Sequence, residues 1–308
     1  MIHIVCNIDI NYIEHCGVML NSLFEYNSSE EFTVHIIYTN DLSVLRTQRI
    51  TDFCAKKGVQ VLYYNVDFSR IKDFPIESYD HLNLSAYLRL FTPVLLPASI
   101  SKVLYLDCDM IIIGSIKELW NIEISDYAVA AVEEREPYDK ESPKRLNYPT
   151  EFSYFNSGVM LLNLDKLRAI NFVDMALSFI ASNNNVMRFH DQDVLNALLH
   201  KDKKFISIRW NVMDFFLYIK PEVQPSRIED WKESLNSPAI VHFTGPRKPW
   251  KYSCDNPFRD TYINYARKNG WNVISYRDSI HYFFRKWLYV LINKRKTIRL
   301  KDLAKYTR

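Results

Sequence analysis

Glycine is scarce in this chain. Only six glycines occur among 308 residues, at positions 17, 58, 114, 158, 245 and 270. Their spacing excludes both the G-x-G-x-x-G dinucleotide motif and the G-x-x-x-x-G-K phosphate loop. A nucleotide bound here cannot have its phosphates held by a glycine-rich loop, so a metal ion would have to neutralise them instead.

Paired cysteines and long apolar runs are missing as well. The five cysteines are odd in number and form no C-x-x-C, which favours reduced thiols in a cytoplasmic protein over a disulfide framework. No stretch approaches the ~18 apolar residues of a membrane span. Residues 1–6 have no basic region or cleavage site, so they predict a first strand and not a signal peptide.

Strand-like and helix-like patterns alternate along most of the chain. Strands are predicted at 2–6, 32–38, 59–64, 103–106, 127–132, 155–163 and 239–243, and helices at 12–26, 42–57, 84–90, 173–182 and 191–199. This alternation predicts an α/β fold with a mostly parallel sheet covered on both faces. Residues 133–155 are charged and show no clear period, so they are predicted to form a long loop near the site.

Two acids flank one residue at Asp107-Cys108-Asp109, directly after the apolar run 103–106. Residues i and i+2 of a strand share a face, so both carboxylates are expected to point into one small volume. Like charges at such a distance repel unless a cation lies between them, and Mg²⁺ or Mn²⁺ is the usual ion for oxygen ligands. The alternative is a polar turn after a buried strand.

A second informative stretch is H-F-T-G-P-R-K-P-W, from His242 to Trp250. Histidine is a common metal ligand, and here it ends a buried strand. Gly245 would let the backbone approach a ligand, and Lys248 could bind phosphate. The alternative for His242 is a core histidine whose ring is satisfied by hydrogen bonds.

Together these two stretches resemble glycosyltransferase family 8, the retaining GT-A transferases, whose pattern is a D-x-D after a hydrophobic strand and a late H-x-x-G-x-x-K-P-W. The resemblance also covers residues 7–12, 85–89, 155–158 and 190–193, in order along a domain spanning 1–270. It implies a GT-A Rossmann-like fold. It further implies a UDP-sugar-dependent hexosyltransferase that moves galactose or glucose to lipopolysaccharide or another cell-surface glycan.

The resemblance also implies roles for individual residues. Asp107, Asp109 and His242 would bind Mn²⁺ or Mg²⁺, and Cys108 belongs to the same donor-binding segment. The uracil and ribose would be contacted by Ile8, Asp9, Asn11 and Tyr12, and the diphosphate by Gly245 and Lys248. The donor sugar would be surrounded by Arg89, Asn156, Asp191 and Gln192.

Retention of configuration leaves two mechanisms open. Gln192, the candidate nearest the anomeric carbon, is a poor nucleophile, so attack of the acceptor from the leaving-group face is favoured. Asp191 is the alternative nucleophile, because a carboxylate can form a covalent glycosyl intermediate.

The C-terminal segment 271–308 differs from the rest in charge. Residues 276–308 contain ten Lys or Arg and two Asp, a net charge of +8, which leaves −5 for the remainder of a chain whose total is +3. An apolar helical face is formed by Ile280, Phe283, Phe284, Trp287, Leu288 and Leu291. Such a helix predicts peripheral attachment to an anionic membrane at its cytoplasmic face. The alternative is a helix packed on its own domain.

No recognised nucleic-acid module is present, so no nucleic-acid partner is expected.

Two other functions share some of these features. A metal-dependent nucleotide-sugar hydrolase would also use the D-x-D and the histidine, but it would consume UDP-sugar at full rate without an acceptor. A non-catalytic sugar-nucleotide or glycan-binding protein would have no reason to keep Asp109, His242 and Lys248 together.

Overall fold

The computed structural model describes residues 1–39, 44–75, 84–135, 138–218, 223–251 and 254–273. Its strands are β1 Ile2–Asn7, β2 Phe32–Thr39, β3 Gln60–Val66, β4 Lys102–Leu106, β5 Met110–Ile112, β6 Val129–Glu133, β7 Phe155–Asn163, β8 Lys203–Phe205, β9 Val212–Met213 and β10 Ile240–His242. Its α-helices are α1 Ile13–Tyr26, α2 Val44–Ala55, α3 Thr92–Leu95, α4 Lys117–Trp120, α5 Tyr138–Arg145, α6 Leu164–Ala169, α7 Phe172–Asn183, α8 His190–Leu199, α9 Ile228–Asn236 and α10 Arg259–Lys268.

Seven strands form the central sheet in the order β3-β2-β1-β4-β7-β6-β8. Strands β3, β2, β1 and β4 run parallel to one another, and β6 is parallel to β8. Only β7 runs antiparallel, against β4 and β6. The predicted mostly parallel α/β sheet is therefore confirmed. Because strand order reverses between β1 and β4, a crevice for ligands is expected at their carboxyl ends.

Apolar residues of this sheet form one core. Val5, Tyr105 and Phe155 lie within it and are almost completely excluded from solvent. The strands contributing these residues are buried on both faces, as β4 and β7 show in their nearly unbroken buried patterns. Near-continuous apolar runs of this kind are what a sheet covered on both faces requires.

The prediction of a long loop over 133–155 is wrong in part, because α5 lies inside it. This helix contains three Lys or Arg residues and Pro143, so it has no apolar stripe by which a periodicity argument could find it. The segment predicted as helix at 84–90 forms a 3-10 helix, Leu84–Phe91.

Three shorter strands, β5, β10 and β9, form a second sheet that sequence patterns did not reveal. The described residues divide into two compact units, the first containing the seven-stranded sheet and the second containing residues 14–27, 109–116 and those from 207 to 273 that the structure describes. In the second unit β10 pairs antiparallel with β5, so that His242 lies opposite Met110.

The predicted amphipathic helix at 280–291 lies outside the described residues, and the boundary at residue 270 stays a prediction. Among the helices of the described ranges, none has both the length and the hydropathy that crossing a membrane requires.

Candidate active site

Asp107 follows the last residue of β4 and is held by two neighbours. Its Oδ1 accepts hydrogen bonds from Arg89 at 2.8 Å and from the hydroxyl of Tyr105 at 2.9 Å. The predicted position of this carboxylate, just beyond the carboxyl end of a buried strand, is confirmed.

Arg89 connects Asp107 to a second carboxylate. Its Nε lies 3.0 Å from Oδ2 of Asp191, and its Nη1 donates to the carbonyl oxygen of Ser157 at 2.7 Å. Burial raises the pKa of Asp191, and the charge of Arg89 opposes the rise. One buried guanidinium thus holds two acids that would otherwise repel each other.

Gln192 and Asn156 lie beside this pair. The amide oxygen of Gln192 accepts from Nδ2 of Asn156 at 3.1 Å and from the backbone N–H of Ser157 at 3.0 Å. Nδ2 of Asn156 also donates to Glu134 at 3.0 Å. The structure therefore brings together all four residues expected around the donor sugar.

Asp193, which accepts several hydrogen bonds, fixes the beginning of α8, the helix that carries Asp191 and Gln192. Asp193 is fully buried and accepts two hydrogen bonds from Arg145, at 2.6 and 2.8 Å, and one from the hydroxyl of Tyr154 at 2.7 Å. It also accepts from the backbone N–H groups of residues 188 and 189. Sequence analysis missed Arg145 and Tyr154 because both lie in the segment predicted as a loop.

The backbone at the first residue of α8 is strained. His190 has a φ of 49°, a left-handed conformation that costs a residue with a side chain on the order of 1–3 kcal/mol. Such strain persists only where the surroundings enforce it, and the bonds to Asp193 supply that constraint.

The segment after β1 has a defined local structure. Oδ1 of Asp9 accepts from the N–H groups of Asn11 at 2.6 Å and Tyr12 at 3.0 Å, which fixes the turn before α1. The N–H of buried Ile8 donates to a carbonyl of β2 at 3.0 Å, and the thiol of Cys108 donates to the carbonyl of residue 7 at 3.4 Å. Contacts of this segment with a base or ribose stay predictions.

Asp109 lies at the centre of a buried charged group. Its Oδ1 is 3.2 Å from Nε2 of His242, and its Oδ2 is bonded to Nζ of Lys248. The register of β5 and β10 produces this arrangement, since the N–H of Phe243 donates to the carbonyl of Asp109. Burial opposes ionisation of Asp109, but Lys248 and His242 outweigh it and hold its pKa well below its usual range.

His242 is oriented from its other ring nitrogen. Its Nδ1 lies 3.0 Å from the amide oxygen of Asn211, so Nδ1 carries the proton when that oxygen is the acceptor. In the neutral ring Nε2 then presents a lone pair to Asp109. The 3.2 Å contact with the carboxylate therefore requires a cation, which is either a proton on Nε2 or a metal ion bound by both groups.

Two of the predicted metal ligands lie close together within the second unit, where Oδ1 of Asp109 is 3.2 Å from Nε2 of His242. The part of Asp107 as a further ligand stays a prediction. A carboxylate and an imidazole suit a divalent ion such as Mg²⁺ or Mn²⁺. The residues present therefore fit a metal ion.

Comparison with known proteins decides the family. The sequence model of glycosyl transferase family 8 matches residues 3–254. The chain belongs to this family. Members with the GT-A fold generally use a divalent metal ion and a nucleotide-sugar donor, which agrees with the pair of Asp109 and His242.

Relatives of this family 8 chain include proteins that act on lipopolysaccharide. It is 31% identical over 278 residues to general stress protein A of Bacillus subtilis, covering 89% of this chain and 96% of that protein. It is 27% identical to the lipopolysaccharide 1,2-glucosyltransferase of Escherichia coli K12, covering 94% and 86%. A crystal structure of the galactosyltransferase LgtC with donor and acceptor sugar analogues superposes with a TM-score of 0.77 at 23% identity, covering 90% and 98%, and shows that the fold is shared.

Gly245 lies in the family 8 segment that includes Lys248. It has a φ of +73°, which favours glycine, and a Cβ built there would meet no atom within 4 Å. The space beside its backbone is therefore open, as close approach of a ligand requires.

Proposed function

We propose that this family 8 chain is a metal-dependent retaining transferase that moves galactose or glucose from a UDP-sugar to a hydroxyl of lipopolysaccharide or another cell-surface glycan. The observation that carries the proposal is the buried group in the second unit, where Asp109 lies 3.2 Å from Nε2 of His242 and is also bonded to Nζ of Lys248. The relatives support a hexose, since one is named a glucosyltransferase and LgtC is named a galactosyltransferase.

Asp107, Asp109 and His242 would hold the metal ion, which when bound supplies positive charge to the diphosphate of the donor. Lys248 adds a second, fixed positive charge. Its Nζ is bonded to Asp109 and donates to the carbonyl of Phe243 at 2.9 Å, so the ammonium is already desolvated and oriented. A phosphate oxygen would compete with Asp109 for this group, and the ammonium would stabilise the negative charge that grows on the leaving oxygen.

Attack from the leaving-group face suits the surroundings of Asp191 and Gln192. Oδ2 of Asp191 accepts from Arg89 and from the hydroxyl of Ser157, both at 3.0 Å, so this carboxylate is engaged in positioning. The anomeric C–O bond to phosphate breaks while the bond to the acceptor oxygen forms. The departing phosphate oxygen takes the acceptor's proton. A covalent intermediate on Asp191 is the alternative, and a glycosylated Asp191 detected by mass spectrometry would establish it.

We also propose that the tail, residues 271–308, binds the cytoplasmic surface of an anionic membrane, where a lipid-linked acceptor would be presented. Its charge of +8 over residues 276–308 supports this. Deleting residues 276–308 should release the protein from phosphatidylglycerol vesicles in a sedimentation assay while donor hydrolysis continues. Unchanged vesicle binding would contradict the proposal.

A screen of UDP-hexoses tests the main function. Purified protein with Mn²⁺ should release UDP from UDP-galactose or UDP-glucose, faster with a glycan acceptor, and EDTA should stop the reaction. Full turnover in EDTA would contradict the metal's role. An equal rate with and without acceptors would instead indicate a nucleotide-sugar hydrolase.

A further inference from the structure

Asn211 is a buried polar residue next to the small sheet. It lies between the 3-10 helix Ile208–Trp210 and β9, and its N–H donates to the carbonyl of Ile208 at 2.9 Å. Strand β9 pairs in parallel with β10, with Met213 opposite His242. The asparagine is completely excluded from solvent, so its amide makes its contacts within the protein.

The side chain of Asn211 faces the imidazole of His242. Its Oδ1 is 3.0 Å from Nδ1, and on the other side of the ring Nε2 is 3.2 Å from Oδ1 of Asp109. In one neutral tautomer Nδ1 donates to Asn211 and Nε2 is left as an electron-pair donor. In the other tautomer Nε2–H donates to Asp109, and that hydrogen bond occupies the position that a metal ion needs.

We propose that Asn211 is a positioning residue that selects the first tautomer and thereby makes Nε2 of His242 a metal ligand. This rests on the metal site of the proposed function. Without the Asn211 acceptor, the second tautomer satisfies both the ring and Asp109, so the metal has to break a hydrogen bond in order to bind. Partners on the second nitrogen of ligating histidines typically change metal affinity by about 10–100-fold.

A Mn²⁺ titration of the full chain without nucleotide tests the proposal. Free Mn²⁺ is followed by electron paramagnetic resonance for the wild type, Asn211→Leu, which has no acceptor, and Asn211→Asp, which keeps one. The dissociation constant should rise about 10–100-fold for the leucine variant and return to within a few fold of wild type for the aspartate variant at pH 8. Ser234→Ala removes a buried hydroxyl of the same unit, one bonded to Asp230, and should leave the affinity unchanged.

The tautomer itself is observable. In metal-free wild-type protein with ¹⁵N-labelled histidine, the His242 ring should show a protonated Nδ1 and an unprotonated Nε2. This signature should shift toward protonated Nε2 in Asn211→Leu. A purely structural role for the asparagine would leave the tautomer as it is.

Several results would overturn the proposal. These are a wild-type His242 without a proton on Nδ1, an Asn211→Leu variant with wild-type Mn²⁺ affinity, or a wild-type protein that binds no Mn²⁺. If the leucine variant does not fold, the wild-type tautomer decides. Mn²⁺ binding that depends on Asn211, in a protein that transfers no hexose, would refute the proposed function and leave this inference standing.

Discussion

Two buried aspartates, Asp193 in the first unit and Asp109 in the second, show how an acid that fixes the fold differs from one that we propose binds a ligand. Asp193 accepts five hydrogen bonds, which come from a guanidinium, a phenol and two backbone N–H groups. Asp109 meets only an imidazole and an ammonium among its described contacts, and both partners are groups that also bind metal ions or phosphates. A carboxylate that accepts five hydrogen bonds within the protein has its acceptor capacity filled, whereas one with two side-chain partners keeps capacity for a ligand.

The strongest test of this comparison is Asp109→Asn. The substitution removes one ligand charge while keeping the size of the side chain, so turnover of UDP-hexose should fall on the order of 10³-fold. Initial rates at saturating Mn²⁺ measure the effect, and circular dichroism confirms the fold. As a control, Asp202→Asn changes a half-exposed acid paired with Lys166 and should keep full activity. An Asp109→Asn enzyme with a tenth of wild-type turnover would contradict the role of this carboxylate.

The opposite outcome is expected at Asp193. Arg145→Met leaves the buried charge of Asp193 without its guanidinium partner, so the free energy of unfolding should fall by about 3–5 kcal/mol. Urea unfolding at pH 7 measures the loss. Arg145→Lys keeps the positive charge but not the two-bond geometry and should lose less. A change below 1 kcal/mol in the methionine variant would show that Asp193 does not depend on this pair.

The candidate site was predictable where local patterns determine it. The apolar run before Asp107 and the apolar run before His242 each predict a buried strand that ends at a polar residue, and β4 and β10 confirm both. A strand end fixes the direction of the side chains that follow it. Hence the sequence was enough to nominate the carboxylate pair and the imidazole.

The supporting residues were not predictable, because their contacts join distant parts of the chain. Asn211 and His242 are 31 residues apart and meet through the register of β9 and β10, which single-strand patterns do not determine. Arg145 and Asp193 are 48 residues apart, and the helix that contains Arg145 shows no apolar period. Tertiary pairing, which a local pattern does not encode, decides both contacts.

A buried histidine in the unit that contains Asp109 makes the stability of the protein depend on pH. His15 stacks on Trp250 with ring centroids 3.4 Å apart, and its Nδ1 is 2.8 Å from the hydroxyl of Tyr262. Burial lowers the pKa of His15 from 6.5 to about 3. The folded protein therefore binds fewer protons than the unfolded chain between these values, and stability is lost as the pH falls below 6.5.

The slope from this one histidine is at most about 1.4 kcal/mol per pH unit. In His15→Gln no proton can bind, so the decline in the free energy of unfolding between pH 6 and pH 4 should be shallower than in wild type. Chemical unfolding at several pH values measures both slopes. Equal slopes would show that His15 does not stay neutral in the folded state.

The smallest predicted effect separates backbone conformation from ligand binding. Gly245 and Gly58 have φ values of +73° and +71°, and a Cβ at either position would meet nothing within 4 Å. Alanine at each should therefore cost a similar strain, about 1–2 kcal/mol of unfolding free energy. Only Gly245→Ala should also raise KM for the UDP-sugar, because its methyl group would fill the space that the diphosphate is expected to approach. Equal kinetics in the two variants would mean that Gly245 is needed for its turn alone.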